Sequence, residues 1–229
     1  MKEYIAEKQN KIKRRVDSYI LHGVPIKVVD EINFDLNKVI KKVENILPSD
    51  IFANLKIIKI KDMKIFGEEL PFNAYYANNR LFLDNKQDSV RDAVDDIVHE
   101  ISHHIENKYG EQIFGDGRLE QEFLSKRTML HDILAARGYS PPANLRTTSK
   151  YNKQIDKYLY SDIGKKLYNF LSGLFLNEYS ITSLREYYGV GFEKYLLDFN
   201  SHSKMKKNNP VLYEKITTLM KEINEKNKK

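Results

Sequence analysis

The stretch His99-Glu100-Ile101-Ser102-His103 restricts this chain more than any other. On a helix, residues four apart sit one above the other on the same face. His99 and His103 can therefore aim two imidazoles at one point, where zinc accepts nitrogen ligands at about 2.0–2.1 Å. Glu100 is one residue on, so its carboxylate lies beside the ligand pair, where a base must stand to take a proton from a water on the metal. The flanking residues supply the helix this requires. Val90, Val94, Ile97, Val98, Ile101 and Ile105 recur at spacings of three and four and form one buried stripe. Ser89 followed by Asp92 reads as a capping box at the start.

Two imidazoles leave a catalytic zinc site incomplete, because three protein ligands and a water are usual. The chain has no cysteine, so the third ligand must be His22, His104, His131, His202 or a carboxylate. His104 points about a hundred degrees away from His103 round the helix, which makes it a second-face or surface histidine. A glycine and a third histidine shortly after the motif would mark a metzincin, and Glu106-Asn107-Lys108-Tyr109 does not supply them. Glu186 is the preferred candidate, on a helix with apolar residues on both flanks that would enclose a carboxylate. Ser183-Leu184-Arg185-Glu186 reads equally well as a capping box, with Glu186 bonding only backbone. Glu178 and Glu193 are the other contenders.

With 229 residues the chain can bury a sizeable core, as one domain or as a domain with an elaborated half. The net charge of +6 is modest, and much of the excess sits near the ends, in Lys11-Ile12-Lys13-Arg14-Arg15 and Lys226-Asn227-Lys228-Lys229. That is the pattern of solvated ends, so nucleic acid is not expected as a partner. No segment approaches eighteen apolar residues, so no membrane span is expected. Residues 1–10 are polar and lack the apolar run of a secretory signal. The expectation is a protein cytoplasmic at synthesis, or a secreted one had a leader been removed ahead of residue 1.

Residues 3–20 read as a polar helix striped by Ile5, Ile12, Val16 and Ile20, broken by Gly23 and Pro25. Ile26 to Val29 is a short strand, Phe34 to Ile46 an amphipathic helix ended by Pro48, and Leu55 to Ile60 a half-exposed strand. Two β-prone runs from Ala74 to Leu83 flank Asn78-Asn79, a hairpin turn, since asparagine tolerates positive φ. This hairpin either covers the core or offers an edge to an extended peptide along Tyr75, Tyr76 and Ala77. Gly110, Gly115 and Gly117 mark a loop, and Leu119 to Arg137 a helix closed by Gly138. A polar connection then runs to about Lys153. Ser161 is expected to cap a helix striped by Ile163, Leu167, Phe170, Leu171 and Leu174, and Thr182 or Ser183 another reaching Phe199. Asn209-Pro210 starts a last helix through Leu212, Ile216, Leu219 and Ile223. Strands and helices come first and helices alone follow, which predicts α+β, a small mixed sheet packed on the metal helix with a mostly helical C-terminal half.

The motif, the hairpin before it and Tyr179 with Glu186-Tyr187-Tyr188 resemble the catalytic domain of anthrax lethal factor and related single-domain bacterial metallopeptidases, including the Pro-Pro endopeptidases. The resemblance covers roughly residues 24–105 and 177–225. It implies one zincin-like metallopeptidase domain, with sheet and metal helix at about 24–109, a helical insertion at about 110–160 and a helical part carrying the third ligand at about 161–225. It implies a gluzincin, with His99, His103 and Glu186 on zinc, Glu100 as general base and acid, and Tyr179 as donor to the oxyanion. The substrate would be a peptide or protein lying extended near Tyr75, Tyr76 and Ala77. Two departures stand out. The gap from His103 to Glu186 is longer than in those relatives, and a second acid often found four residues after the ligand glutamate is here Val190, between Gly189 and Gly191. Loss of such an outer acid weakens a metal site by roughly ten- to a hundredfold. The competing expectation is a catalytically weak or inactive protein of the same fold that serves as a structural or binding component.

Overall fold

The computed structural model describes residues 19–64, 73–171 and 173–227. It is α+β, with a small mixed sheet and many helices. The chain divides into two compact units, residues 1–104 and 105–229.

The first unit is built on a sheet of five described strands in the order β1-β2-β3-β5-β4. Strands β1 (Tyr19–Leu21) and β2 (Val24–Val28) pair antiparallel across His22 and Gly23, both at positive φ. Helix α1 (Leu36–Ile46) then crosses over, so that β3 (Ile57–Lys61) returns parallel to β2. Its first turn is held by Asp35, whose side chain accepts from the Lys38 N–H at 3.1 Å. Strands β4 (Ala74–Ala77) and β5 (Arg80–Asp84) form an antiparallel hairpin, and β5 lies parallel to β3. Asn78 and Asn79 carry φ of 52° and 58°, the twist a two-residue hairpin turn requires.

Alternation along the strands gives the sheet one dry face. Val24, Ile26, Ile58, Ile60, Leu81 and Leu83 are buried. The other face carries Lys59, Lys61 and Phe82, with Tyr75 stacked on Phe82 at 4.4 Å between ring centres. Leu36, Val39 and Val43 of α1 are buried, as are Val94, Ile97, Val98 and Ile101 of α2 (Val90–Phe114).

In the second unit, the last turns of α2 are followed by α3 (Arg118–Ala136), α4 (Leu184–Leu197) and α5 (Pro210–Lys226). Gly138, at φ 82°, closes α3: its N–H donates to Ala135 and that of Tyr139 to Leu134, which satisfies carbonyls a helix end leaves open. Phe123, Phe175 and Tyr187 form a buried aromatic cluster with ring centres 5.5–6.0 Å apart. Helices α4 and α5 meet at Gly191, where an added Cβ would fall 2.6 Å from Leu212 Cδ2, so no larger residue fits without repacking. The Glu122 carboxylate caps α5 from outside it. It accepts from Val211 N–H at 2.8 Å, Leu212 N–H at 3.2 Å and the Tyr187 hydroxyl at 2.9 Å.

Several expectations need correction. Most of the helix expected over residues 3–20 lies outside the described residues, but Tyr19 and Ile20 are strand. The metal helix does not stop before Gly110; it runs through to Phe114, because helix packing outweighs the modest cost of one interior glycine. Ser161 caps nothing. It lies in a π-helical turn, Tyr158–Ile163, followed by the short helical pieces Gly164–Lys166 and Leu167–Phe170. Phe199 is not on the apolar stripe of α4, which ends at Leu197; it is 82% exposed. Among the described residues, no helix is long and apolar enough to cross a membrane.

Candidate metal centre

Helix α2 begins as its sequence suggests. The Ser89 Oγ accepts from the backbone N–H groups of Arg91 at 3.1 Å and Asp92 at 3.2 Å, and donates to the Asp92 carboxylate at 2.8 Å. Ala93, Val94, Ile97, Val98 and Ile101 are buried to 2% exposure or less, which fixes the rotation of the helix and so the direction of its other faces. The face beside this stripe carries His99 and His103, with ring centres 5.0 Å apart and planes at 86°.

His99, Glu100 and His103 are only 8%, 8% and 5% exposed. One ligand atom from each lies within 4.8 Å of the others, and among the described residues this is the only such group of metal-ligating side chains. Atoms sharing one ion at about 2.1 Å can be no more than about 4.2 Å apart, so a group gathered within 4.8 Å is close to the spacing that one ion needs. Two imidazoles and a carboxylate, with no thiolate, suit a borderline divalent cation.

The remaining histidines have other work. The His22 ring bonds the Leu47 carbonyl at 2.7 Å, and that of His202 the Tyr195 carbonyl at 2.7 Å. His131 stands against Arg146 and Asp132. His104 is buried on the second face, as its helix position implies. Its Nε2–H donates to the Ala53 carbonyl at 2.9 Å, and Nδ1 stands 3.1 Å from the Tyr76 hydroxyl, which donates to Asn79 Oδ1 at 2.8 Å. Burial pushes its pKa below that of an ordinary histidine, opposed by the Ala53 bond. This chain of bonds ties the β4–β5 hairpin to the helix at the residue after His103. Tyr75, Tyr76 and Ala77 lie on β4, the terminal strand of the described sheet.

Comparison with family models, with curated proteins and with solved structures finds no match. The chain's own geometry is therefore the ground on which a function can be assigned.

Glu186 and Tyr179 belong to one segment of the second unit. Tyr179 opens the turn Tyr179–Ile181 and is 45% exposed. Ser183 is the N-cap of α4, its Oγ accepting from the Glu186 N–H at 3.1 Å. The backbone half of the capping box thus exists, and Glu186 occupies the first turn of the helix. It lines an open cavity of about 450 Å³ together with Glu106, Phe114, Ser149, Tyr151 and Arg185. Arg185 Nε donates to Glu106 Oε2 at 2.8 Å. Glu106 belongs to the part of α2 that lies in the second unit, so this bond ties the start of α4 to the last turns of α2 within that unit.

One residue of this segment's support escapes a reading of motifs. Arg127, on α3, is 0% exposed. Its Nε donates to the Ile181 carbonyl at 3.0 Å, Nη2 to the Thr182 carbonyl at 3.0 Å and also to that of Ile181, and Nη1 to the Thr148 carbonyl at 2.5 Å. Burial pulls its pKa down to about 10, so it stays cationic at neutral pH. The sequence does contain a signal for it. Leu119, Phe123, Leu130 and Leu134 form the buried stripe of α3, and Arg127 sits on that stripe at helical spacing.

Proposed function

We propose that the chain is a zinc-dependent endopeptidase of zincin-like fold, with His99, His103 and Glu186 holding the metal. The observation that carries this reading is the buried group His99, Glu100 and His103 on one turn of a capped, amphipathic helix. Zinc held there would lower the pKa of a bound water toward about 7 and polarise a substrate carbonyl. Glu100 takes the proton released as water adds to the carbonyl carbon, and returns it to the amine as the C–N bond breaks. The Tyr179 hydroxyl donates to the carbonyl oxygen as charge develops there. The peptide lies extended along β4 at Tyr75, Tyr76 and Ala77, where backbone pairing fixes its register. Tyr75 stacked on Phe82 braces β4 against β5, and Tyr76 bonded towards His104 ties that strand to the metal helix.

The test is metal content of the purified protein, followed by cleavage of a peptide library with and without chelator. One equivalent of zinc and chelator-sensitive cleavage are expected. Absence of bound metal after zinc loading, or cleavage indifferent to chelator, would refute the proposal.

One observation favours a second reading. Val190 is 1% exposed and packed where a second acid often stands in the group the chain resembles. A protein that binds zinc and cleaves no member of a diverse library would be the structural or binding component instead.

A further inference from the structure

The second unit buries the guanidinium of Arg127 completely. Its partners among the described residues are three backbone carbonyls, with no carboxylate bonded to it. A cation buried this way is a poor stabilising device: it loses its hydration, and carbonyl dipoles return less than an opposing charge would. A leucine or methionine on the same stripe would cost less. The Phe123 ring, 4.6 Å from the guanidinium carbon, offsets part of the cost.

The arrangement of those carbonyls is what the arginine achieves. Ile181 and Thr182 immediately precede Ser183, the N-cap of α4, and Thr148 belongs to the connection after α3. The next residue of that connection, Ser149, accepts from the Leu184 N–H at 2.7 Å. Arg127 thus gathers two chain segments at one planar fork, just behind the first turn that bears Glu186. The rest of the segment is braced locally. The Ser180 N–H donates to Asn177 Oδ1 at 2.8 Å, and the Thr182 hydroxyl to the Tyr179 carbonyl at 2.8 Å. Tyr179 and Glu186 therefore stand at the two ends of one braced piece, and the fork holds its middle.

We infer that Arg127 is a positioning residue: its fork to Thr148, Ile181 and Thr182 sets where Glu186 and Tyr179 present their side chains. The inference rests on the proposed metal-binding role of Glu186. A lysine cannot replace it, since a single ammonium cannot span carbonyls that a planar guanidinium reaches in three directions.

The experiment compares zinc affinity, by competition with a chelating dye, and kcat and KM on a cleaved peptide, for the parent protein, Arg127→Met, Arg127→Lys, Glu186→Gln and the Arg127→Met/Glu186→Gln double variant. Arg127→Met should weaken zinc binding about tenfold or more and lower kcat with little change in KM. Arg127→Lys should recover only part of this, and supplies the same comparison should the methionine variant fail to fold. In the Glu186→Gln background, Arg127→Met should weaken zinc no further, because its effect passes through that carboxylate. Parental affinity and kcat in the Arg127 variants, or an additive loss in the double variant, would overturn the inference while leaving the zinc reading intact. Unchanged zinc affinity in Glu186→Gln alone would remove the third-ligand assignment, and this inference with it.

Discussion

The turn that carries His99 and His103 and the segment that carries Tyr179 and Glu186 are positioned by opposite means. In α2, helix periodicity places the imidazoles and the buried stripe sets their direction; every determinant lies within about a dozen residues along the chain. Ahead of α4, the backbone passes through a short turn and is held by bonds from far away in sequence, from Arg127, Ser149 and Glu106. The first arrangement is robust to change elsewhere. The second depends on tertiary contacts, so distant substitutions should disturb it.

The largest effect should come from the robust side. Glu100→Gln should leave zinc at one per chain and lower peptide hydrolysis by about 10²- to 10⁴-fold, read by elemental analysis and single-turnover cleavage. Parental cleavage in that variant would remove Glu100 as the base. Glu186→Gln should lower zinc affinity by about a hundredfold or more, beyond the tenfold to hundredfold seen when only an outer partner is lost. If the variant keeps its zinc, the two regions do not share a metal.

The caps sharpen the contrast. Ser89→Ala and Ser183→Ala each remove a side-chain acceptor at a helix start and should each cost about 1 kcal/mol in denaturant unfolding. Only Ser183→Ala should also weaken zinc binding, because Ser183 fixes the Glu186 backbone. Equal effects of both on zinc affinity would erase the distinction.

The smallest effect concerns the floor beneath α4. Burial raises the hydroxyl pKa of Tyr187 and Tyr188 well above the ordinary value of 10.0. Folded and unfolded chains are both protonated at these sites below pH 10. Above it the unfolded chain ionises first, so the stability these groups contribute is lost as pH rises from 10 towards their folded values. Alkaline titration followed by tyrosinate absorbance should show them ionising last, with unfolding. Their titration with the exposed tyrosines would mean that α4 is not seated on a dry core.

The same contrast explains how much of the molecule is legible in its sequence. The Ser89 cap, the buried apolar stripe from Val94 to Ile105 and the Asn78-Asn79 turn are local patterns, and each appears in the structure where the residues place it, with Val90 only half-buried at the helix start. So do α1, the closure of α3 at Gly138, the cap at Ser183 and the start of α5 at Pro210. The stretch from Ser161 to Phe170 misleads because its apolar residues mimic one helical stripe, while the chain passes through π and 3₁₀ geometry, which surrounding packing selects, before a short helix. Phe199 matches the spacing of α4 but lies past Asp198, where the chain leaves helical angles. Arg127 escapes notice because its meaning comes from Thr148, Ile181 and Thr182, which no window around residue 127 contains. Glu186 is the intermediate case: its place in a first turn is readable, and whether its carboxylate serves a metal is a long-range matter.

A crystal of the zinc-loaded protein, measured on both sides of the zinc absorption edge, puts the shared metal to the sharpest test. One strong anomalous peak is expected, coordinated by His99, His103 and Glu186, with Glu100 beside it and the Tyr179 hydroxyl facing the same space. A peak held by the two histidines without residue 186, or no peak between those histidines, would contradict the proposed centre.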